Sequence, residues 1–227
     1  MNNLIELKNI SKNYITNKKN IILKKINFKF KKGLIYSLVG PSGSGKSTLL
    51  NLISLIDKPS SGEIKINNNL IKYNHIYKND RVRADKIGII YQQNNLLPDF
   101  TALENVYLAR LAVENNKLKA ISEATKLIKK FGLVNRINHF PSQLSGGELQ
   151  RIAISRALIN KPEIILADEP TGSLDHATAK EVFKSLYKLK DKNRLIIYAT
   201  HNRLFANMAD CKLEMIDGNI KPSNAIK

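Results

Sequence analysis

Gly40-Pro41-Ser42-Gly43-Ser44-Gly45-Lys46-Ser47-Thr48 follows the apolar run Leu34 to Val39 and opens onto the apolar stretch Leu49 to Ile56. Strand, glycine-rich turn and helix in that order fit the pattern G-x-x-x-x-G-K-[ST]. In it, glycines bring backbone N–H groups close to a polyphosphate, and the following helix aims its positive end at the same anion. On this pattern Lys46 reaches the β- and γ-phosphates and Ser47 ligates Mg²⁺. The strand before and the helix after are the context the motif requires, so a nucleoside triphosphate is the expected ligand.

Working outward, the first third reads as strands: Leu4 to Leu7, Ile22 to Phe30 with alternating polarity, and Leu34 to Val39 as a buried strand. Tyr14 is expected in the turn between the first two. Gly62 to Ile66 and Ile87 to Tyr91 read as further strands. Thr101-Ala102-Leu103-Glu104 is a capping box that starts a helix carrying Leu103, Val106, Tyr107 and Leu111. A second helix places Leu118, Ile121, Ala124, Ile128 and Phe131 on one stripe and stops at Gly132. After Pro162 the alternation of strand and helix resumes: strand Ile164 to Ala167, helix Ala177 to Leu189, strand Leu195 to Thr200, a short helix near Phe205, and a hairpin turning at Asp217-Gly218. The expected class is α/β. A mixed, largely parallel core sheet with an antiparallel flank takes residues 1–93 and 161–227, and a helical subdomain takes residues 94–160.

With 227 residues and 43% hydrophobic content the chain can bury a substantial core. No apolar run approaches the ~20 residues that span a bilayer, and Met1 to Tyr14 shows no secretory h-region, so the chain is expected to be soluble and cytoplasmic. Cys211 is the only cysteine, which excludes an internal disulfide and a cysteine metal cluster and suits a small core residue. The formal charge of +18 could attract nucleic acid or an anionic membrane surface. Yet the lysines are scattered in ones and twos among Asn and Ile, as codon bias in an AT-rich genome produces. Without a basic tail or a base-stacking aromatic pattern, no nucleic-acid partner is expected.

A second block, Leu144-Ser145-Gly146-Gly147-Glu148-Leu149-Gln150-Arg151, stands before the apolar strand Ile164-Ile165-Leu166-Ala167 and the pair Asp168-Glu169. On local physics alone Ser145 to Glu148 is a capping box and Asp168-Glu169 could cap a helix. Two successive glycines at a helix start need a further reason. Backbone N–H groups left open to an anion at the positive helix end supply one. Together with the phosphate loop, these blocks resemble the ATP-binding cassette (ABC) ATPases over nearly the whole chain, from Tyr14 to His201.

The resemblance implies ATP and Mg²⁺ as ligands and assigns roles to single residues. Gly40 to Thr48 cradle the phosphates. Asp168 holds Mg²⁺ with Ser47, and Glu169 polarises the attacking water, tasks suited to carboxylates. Gln92 contacts Mg²⁺ and water, with Gln93 as the rival register. His201 senses the γ-phosphate. Ser145, Gly146 and Gly147 meet the nucleotide of a partner subunit in an ATP-sandwiched homodimer, and Asp175 lines the subunit interface, with helix N-capping as its plain alternative. Tyr14 stacks on adenine, although a tyrosine is also common at a strand turn, and Tyr36 or Phe28 could be core. His75, His139 and His176 have no comparable context.

The segment Tyr91 to Val106, Phe140-Pro141-Ser142-Gln143 and Ala167 to Gly172 are similar to the subfamily that powers bacterial lipoprotein release and macrolide-type export. That implies integral membrane permease subunits as partners and a peripheral place on the cytoplasmic face of the inner membrane. Gln93-Asn94-Asn95 and Glu148-Leu149 depart from the subfamily pattern. An importer or cell-division cassette is the nearer alternative and a nucleic-acid-processing ATPase the more distant one. The latter usually adds zinc modules, coiled coils or a second cassette.

Overall fold

The computed structural model describes residues 3–15 and 19–223. In chain order these form β1 (Asn3–Ile15), β2 (Lys19–Lys31), β3 (Ile35–Val39), α1 (Lys46–Ile53), β4 (Ser61–Ile66), β5 (Asn69–Leu70), α2 (Ile76–Lys86) and β6 (Ile87–Ile90). Then come α3 (Ala102–Leu111), α4 (Lys117–Lys130), α5 (Gly146–Leu158), β7 (Ile164–Asp168), α6 (His176–Tyr187), β8 (Leu195–Ala199), α7 (Arg203–Ala206), β9 (Cys211–Ile216) and β10 (Asn219–Pro222). Two compact units result. The first comprises Met1–Asp80, Leu166–Asp168 and Lys190–Lys227; the second, Arg81–Ile165 and Glu169–Leu189.

In the first unit, β1 pairs antiparallel with both β2 and β4, giving a sheet of order β2-β1-β4-β5. A second sheet places β3 between β8 and β9, parallel to both. Buried on both sides, β3 and β8 need near-continuous apolar sequence, which is why Ile35, Tyr36, Leu38 and Leu195 to Ala199 are all in the core. Their few polar atoms are satisfied: Ser37 Oγ donates to Ala206 O (2.9 Å) and Tyr198 Oη to Phe205 O (2.6 Å). Phe28, Phe30 and Tyr36 stack edge to face, with centroids 4.7 to 6.0 Å apart, so Phe28 and Tyr36 are packing residues. Cys211 is buried at the start of β9. Asp217 and Gly218, both at positive φ (45° and 75°), turn the β9–β10 hairpin as the sequence predicts.

The second unit is mainly helical. The Thr101 capping box is present: Glu104 N–H donates to Thr101 Oγ1 (3.3 Å) and Thr101 N–H to Glu104 Oε2 (2.8 Å). Helices α3, α4 and α5 bury Val106, Tyr107, Ala120, Ala124, Ile128 and Ile152 in one cluster. In this unit β6 neighbours β7, whose Ile164 and Ile165 belong here.

Three local expectations differ from the structure. The stripe of α4 is centred on Ala120, Ala124 and Ile128, and Leu118 is 83% exposed, because standing two residues before Ala120 places it about 200° round the helix, on the opposite side. Tyr14 lies within β1, opposite Asn20 of β2, rather than in a turn: register shifts near Leu7, Ile10 and Lys12 let the strand continue past its polar residues. Helix α2 is not signalled by its sequence, since Asn79 is its only buried residue and no apolar stripe exists to be read.

Candidate active site

The phosphate loop joins β3 to α1 within the first unit. Gly40 has φ 150°, and a Cβ there would meet Met215 O at 2.2 Å; Gly45 has φ 102°, and a Cβ there would meet Leu23 Cδ2 at 2.7 Å. Both glycines are required because β9 and β2 back directly onto the loop. Gly43 has φ 77° and open space where a Cβ would stand, so backbone conformation alone selects glycine there. Gly45 is the N-cap of α1 and brings no side-chain hydrogen bond to the amides of the first turn. Lys46, only 7% exposed, donates to Gly40 O and Pro41 O, both at 2.9 Å. Ser44 Oγ is buried with no hydrogen-bond partner. An uncapped helix start, a buried ammonium and an unsatisfied hydroxyl together fit a polyphosphate. Ser47 presents an exposed side chain one position beyond Lys46.

Asp168 is the last residue of β7, and His201 follows β8 by two positions. His201 lines a cavity of about 540 Å³ together with Gly40, Pro41, Thr200 and Arg203, so the structure brings it to the mouth of the phosphate loop. Tyr14 is 42% exposed, and its hydroxyl donates to Asp57 Oδ2 at 2.9 Å. Lys12 Nζ sits 4.8 Å from its ring centroid and bonds Asp57 Oδ1 at 2.7 Å. Burial pushes the Asp57 carboxyl up, but bonds from Lys12 and Tyr14 outweigh it and hold the group below the usual range. Nothing in the sequence signalled Lys12 and Asp57, which lie 45 residues apart.

In the second unit, Ser145 caps α5 with a full capping box: Ser145 N–H donates to Glu148 Oε2 (2.8 Å) and Glu148 N–H to Ser145 Oγ (3.4 Å). Arg136 Nε donates to Glu148 Oε1 at 2.8 Å, and that bond, followed by the one from Ser145 N–H, pulls the Glu148 carboxyl down to about 2. The paired glycines have a packing reason as well. A Cβ on Gly147 would come within 2.4 Å of Thr178 Cγ2 on α6, and one on Gly146 within 3.2 Å of Leu174 Cδ2.

Glu169 holds a left-handed backbone (φ 46°) at the exit of β7, and its carbonyl accepts from Gly172 N–H at 3.0 Å. A non-glycine residue in that region costs on the order of 1–3 kcal/mol and marks a site where position matters more than stability. A Cβ on Gly172 would lie 3.0 Å from Gln92 Nε2 and 3.4 Å from Glu169 Cβ. Glycine thus lets the Gln92 amide approach Glu169, and it is Gln92, not Gln93, that lies there. Asp175 caps α6, accepting from Ala177 and Thr178 N–H at 3.1 Å; a bond from the Thr178 side chain, followed by that from its backbone N–H, lowers the Asp175 pKa. Asp168 and Glu169, consecutive in the chain, carry one carboxylate into each unit.

Residues 23–172 match the family model for ABC transporters. This chain belongs to the ABC transporter family. As an ABC cassette it binds ATP and is an ATPase. It is 44% identical to the lipoprotein-releasing system ATP-binding protein LolD of Rickettsia bellii, over 98% of this chain and 99% of that protein. It is also 44% identical to the LolD of Wigglesworthia glossinidia brevipalpis, over 99% and 100%. Among solved structures it resembles the dimeric, post-hydrolysis state of the ATP-binding cassette MJ0796 bound to ADP and Pi, with 37% identity, a TM-score of 0.89, and 97% and 99% of the two chains covered. Among the described residues no helix of this ABC subunit is long and apolar enough to cross a membrane.

Proposed function

We propose that this chain is the ATP-hydrolysing subunit of a lipoprotein-releasing transporter, working as a homodimer beneath integral membrane permease subunits on the cytoplasmic face of the bacterial inner membrane. The observation that carries the substrate class is the end-to-end likeness to lipoprotein-releasing ATP-binding proteins.

In this reading Gly40 to Thr48 bind the polyphosphate of ATP: the amides of the loop and of the first turn of α1 coordinate its oxygens, and Lys46 neutralises charge as the terminal phosphoryl group is transferred. The Ser47 hydroxyl and the Asp168 carboxylate are hard oxygen donors that would hold Mg²⁺, with the Gln92 side-chain oxygen as a further donor; the ion would supply positive charge to offset that of the phosphates. Glu169 orients the attacking water and accepts its proton as the bond to ADP breaks. His201 bonds the terminal phosphate. Tyr14 offers a ring to adenine, steadied by Asp57 and Lys12. Ser145, Gly146 and Gly147 present the start of α5 to the nucleotide on the partner subunit, with Asp175 at the same interface.

The test is to trap Glu169→Gln with ATP and Mg²⁺ in cells, solubilise membranes gently and identify what co-purifies. Permease subunits with a large periplasmic domain support lipoprotein release. Recovery of importer or drug-export permeases, or of nucleic acid without membrane protein, overturns it.

A further inference from the structure

Helix α5 begins at the paired glycines Gly146 and Gly147 after Ser145, and the same helix grips the loop that carries Gln92. Gln150 Nε2 donates to Tyr91 O at 3.3 Å. Arg156 Nη2 donates to Asn94 O at 2.6 Å and Arg156 Nη1 to Asn95 O at 2.5 Å. From the other side, Ser173 Oγ donates to Gln92 O at 3.5 Å. Three carbonyls of one short loop are therefore tied to α5.

The Arg156 contact is unusual in its chemistry. A guanidinium fork normally pairs with a carboxylate, whereas here it bonds two successive peptide carbonyls. In extended chain such carbonyls point to opposite sides. They converge on one guanidinium only if the backbone curls, and both residues do so, Asn94 at φ 23° and Asn95 at φ 48°. Asparagine is the side chain, after glycine, that enters this region most readily. Gln93-Asn94-Asn95, the stretch that departs from the subfamily pattern, thereby gains a physical reason: it forms the curl that Arg156 reads.

We propose that Arg156 is a positioning residue for Gln92, clamping the Gln92 loop to α5 so that the glutamine and the Ser145 end of the helix move as one body. This rests on the reading of Gln92 as a contact for Mg²⁺ and water.

The test is a double-mutant cycle on single-turnover ATP hydrolysis by the purified chain, with Gln92→Ala, Arg156→Lys and the pair, each checked for ATP affinity and thermal stability. Lysine keeps the charge but cannot fork to two carbonyls. Arg156→Lys is expected to slow hydrolysis about 10-fold with ATP affinity within about twofold of wild type, the scale set by a small misplacement of a reacting group. In the Gln92→Ala background it should cost nothing further. Asn95→Val, which disfavours positive φ while leaving every residue of α5 unchanged, should reproduce the same loss and the same non-additivity, and serves if Arg156→Lys does not fold. Multiplicative effects of Gln92→Ala and Arg156→Lys would overturn the clamp and leave Gln92 its role. An inactive Arg156→Lys whose ATP affinity also collapses would overturn it as well. Unchanged hydrolysis in Gln92→Ala alone would instead remove the reading of Gln92 on which the clamp depends.

Discussion

Two helices of this ABC subunit start beside glycines, and they are finished in opposite ways. Helix α1 is capped by Gly45 in a left-handed conformation with no side-chain bond, and its first residue is the buried Lys46. Helix α5 is capped by Ser145 with a reciprocal bond from Glu148, itself braced by Arg136. The first start has no side-chain cap for its amides, and its lysine folds back to donate to Gly40 O and Pro41 O. The second satisfies part of its own polarity and still keeps two residues without side chains at the tip.

The largest break in this contrast is expected from Lys46→Ala. It removes a charge-assisted donor from α1, and ATP affinity of the isolated chain should fall by about 10²-fold or more in a fluorescent-nucleotide titration, on the scale of charged hydrogen bonds. Retained affinity would mean that the backbone alone holds the phosphates. Next comes Gly147→Ala. Its Cβ would press on Thr178 Cγ2, costing about 1–3 kcal/mol by overpacking, and the Thr178→Ser change should recover most of that in urea melts. Without recovery, packing against α6 is not why Gly147 is glycine.

Ser145→Ala should cost about 1 kcal/mol, the usual loss of a serine N-cap, while leaving ATP binding by the isolated chain within about twofold. The smallest effect concerns acid. The folded pKa of Glu148 is depressed, so the stability it contributes is present above the unfolded value of ~4.3 and is lost as pH falls towards about 2. Between pH 5 and pH 2, wild type should lose more stability than Glu148→Gln; parallel curves would show that the Arg136 bond carries no weight in solution.

How much of this was legible depended on range. The phosphate loop, the buried strands β3, β7 and β8, and both capping boxes are local patterns in which neighbouring residues determine one another, and they were read from the sequence. Helix α2 was not, because a helix that buries only Asn79 has no apolar stripe. An apolar residue at Leu118 suggests the buried stripe of α4, but the small residues Ala120 and Ala124 mark the face that is packed, and Leu118 stands opposite it. At the candidate site, the sequence suggests an anion-facing role for Gly147, and the packing reason that Thr178 adds lies 31 positions away and leaves no trace in local spacing. The Lys12–Asp57 pair beneath Tyr14 and the Arg156 clamp on Asn94 and Asn95 were equally invisible, since each joins segments 45 to 62 residues apart.

The most direct test of the contrast between the two helix starts is sedimentation velocity with saturating ATP and Mg²⁺, on Glu169→Gln alone and combined with Ser145→Arg. Glu169→Gln is expected to form a nucleotide-dependent dimer and the combined variant to stay monomeric, with the two binding ATP equally well. Loss of ATP binding on introducing Ser145→Arg, or a dimer that survives it, would contradict the assignment of the α5 start to the partner's nucleotide.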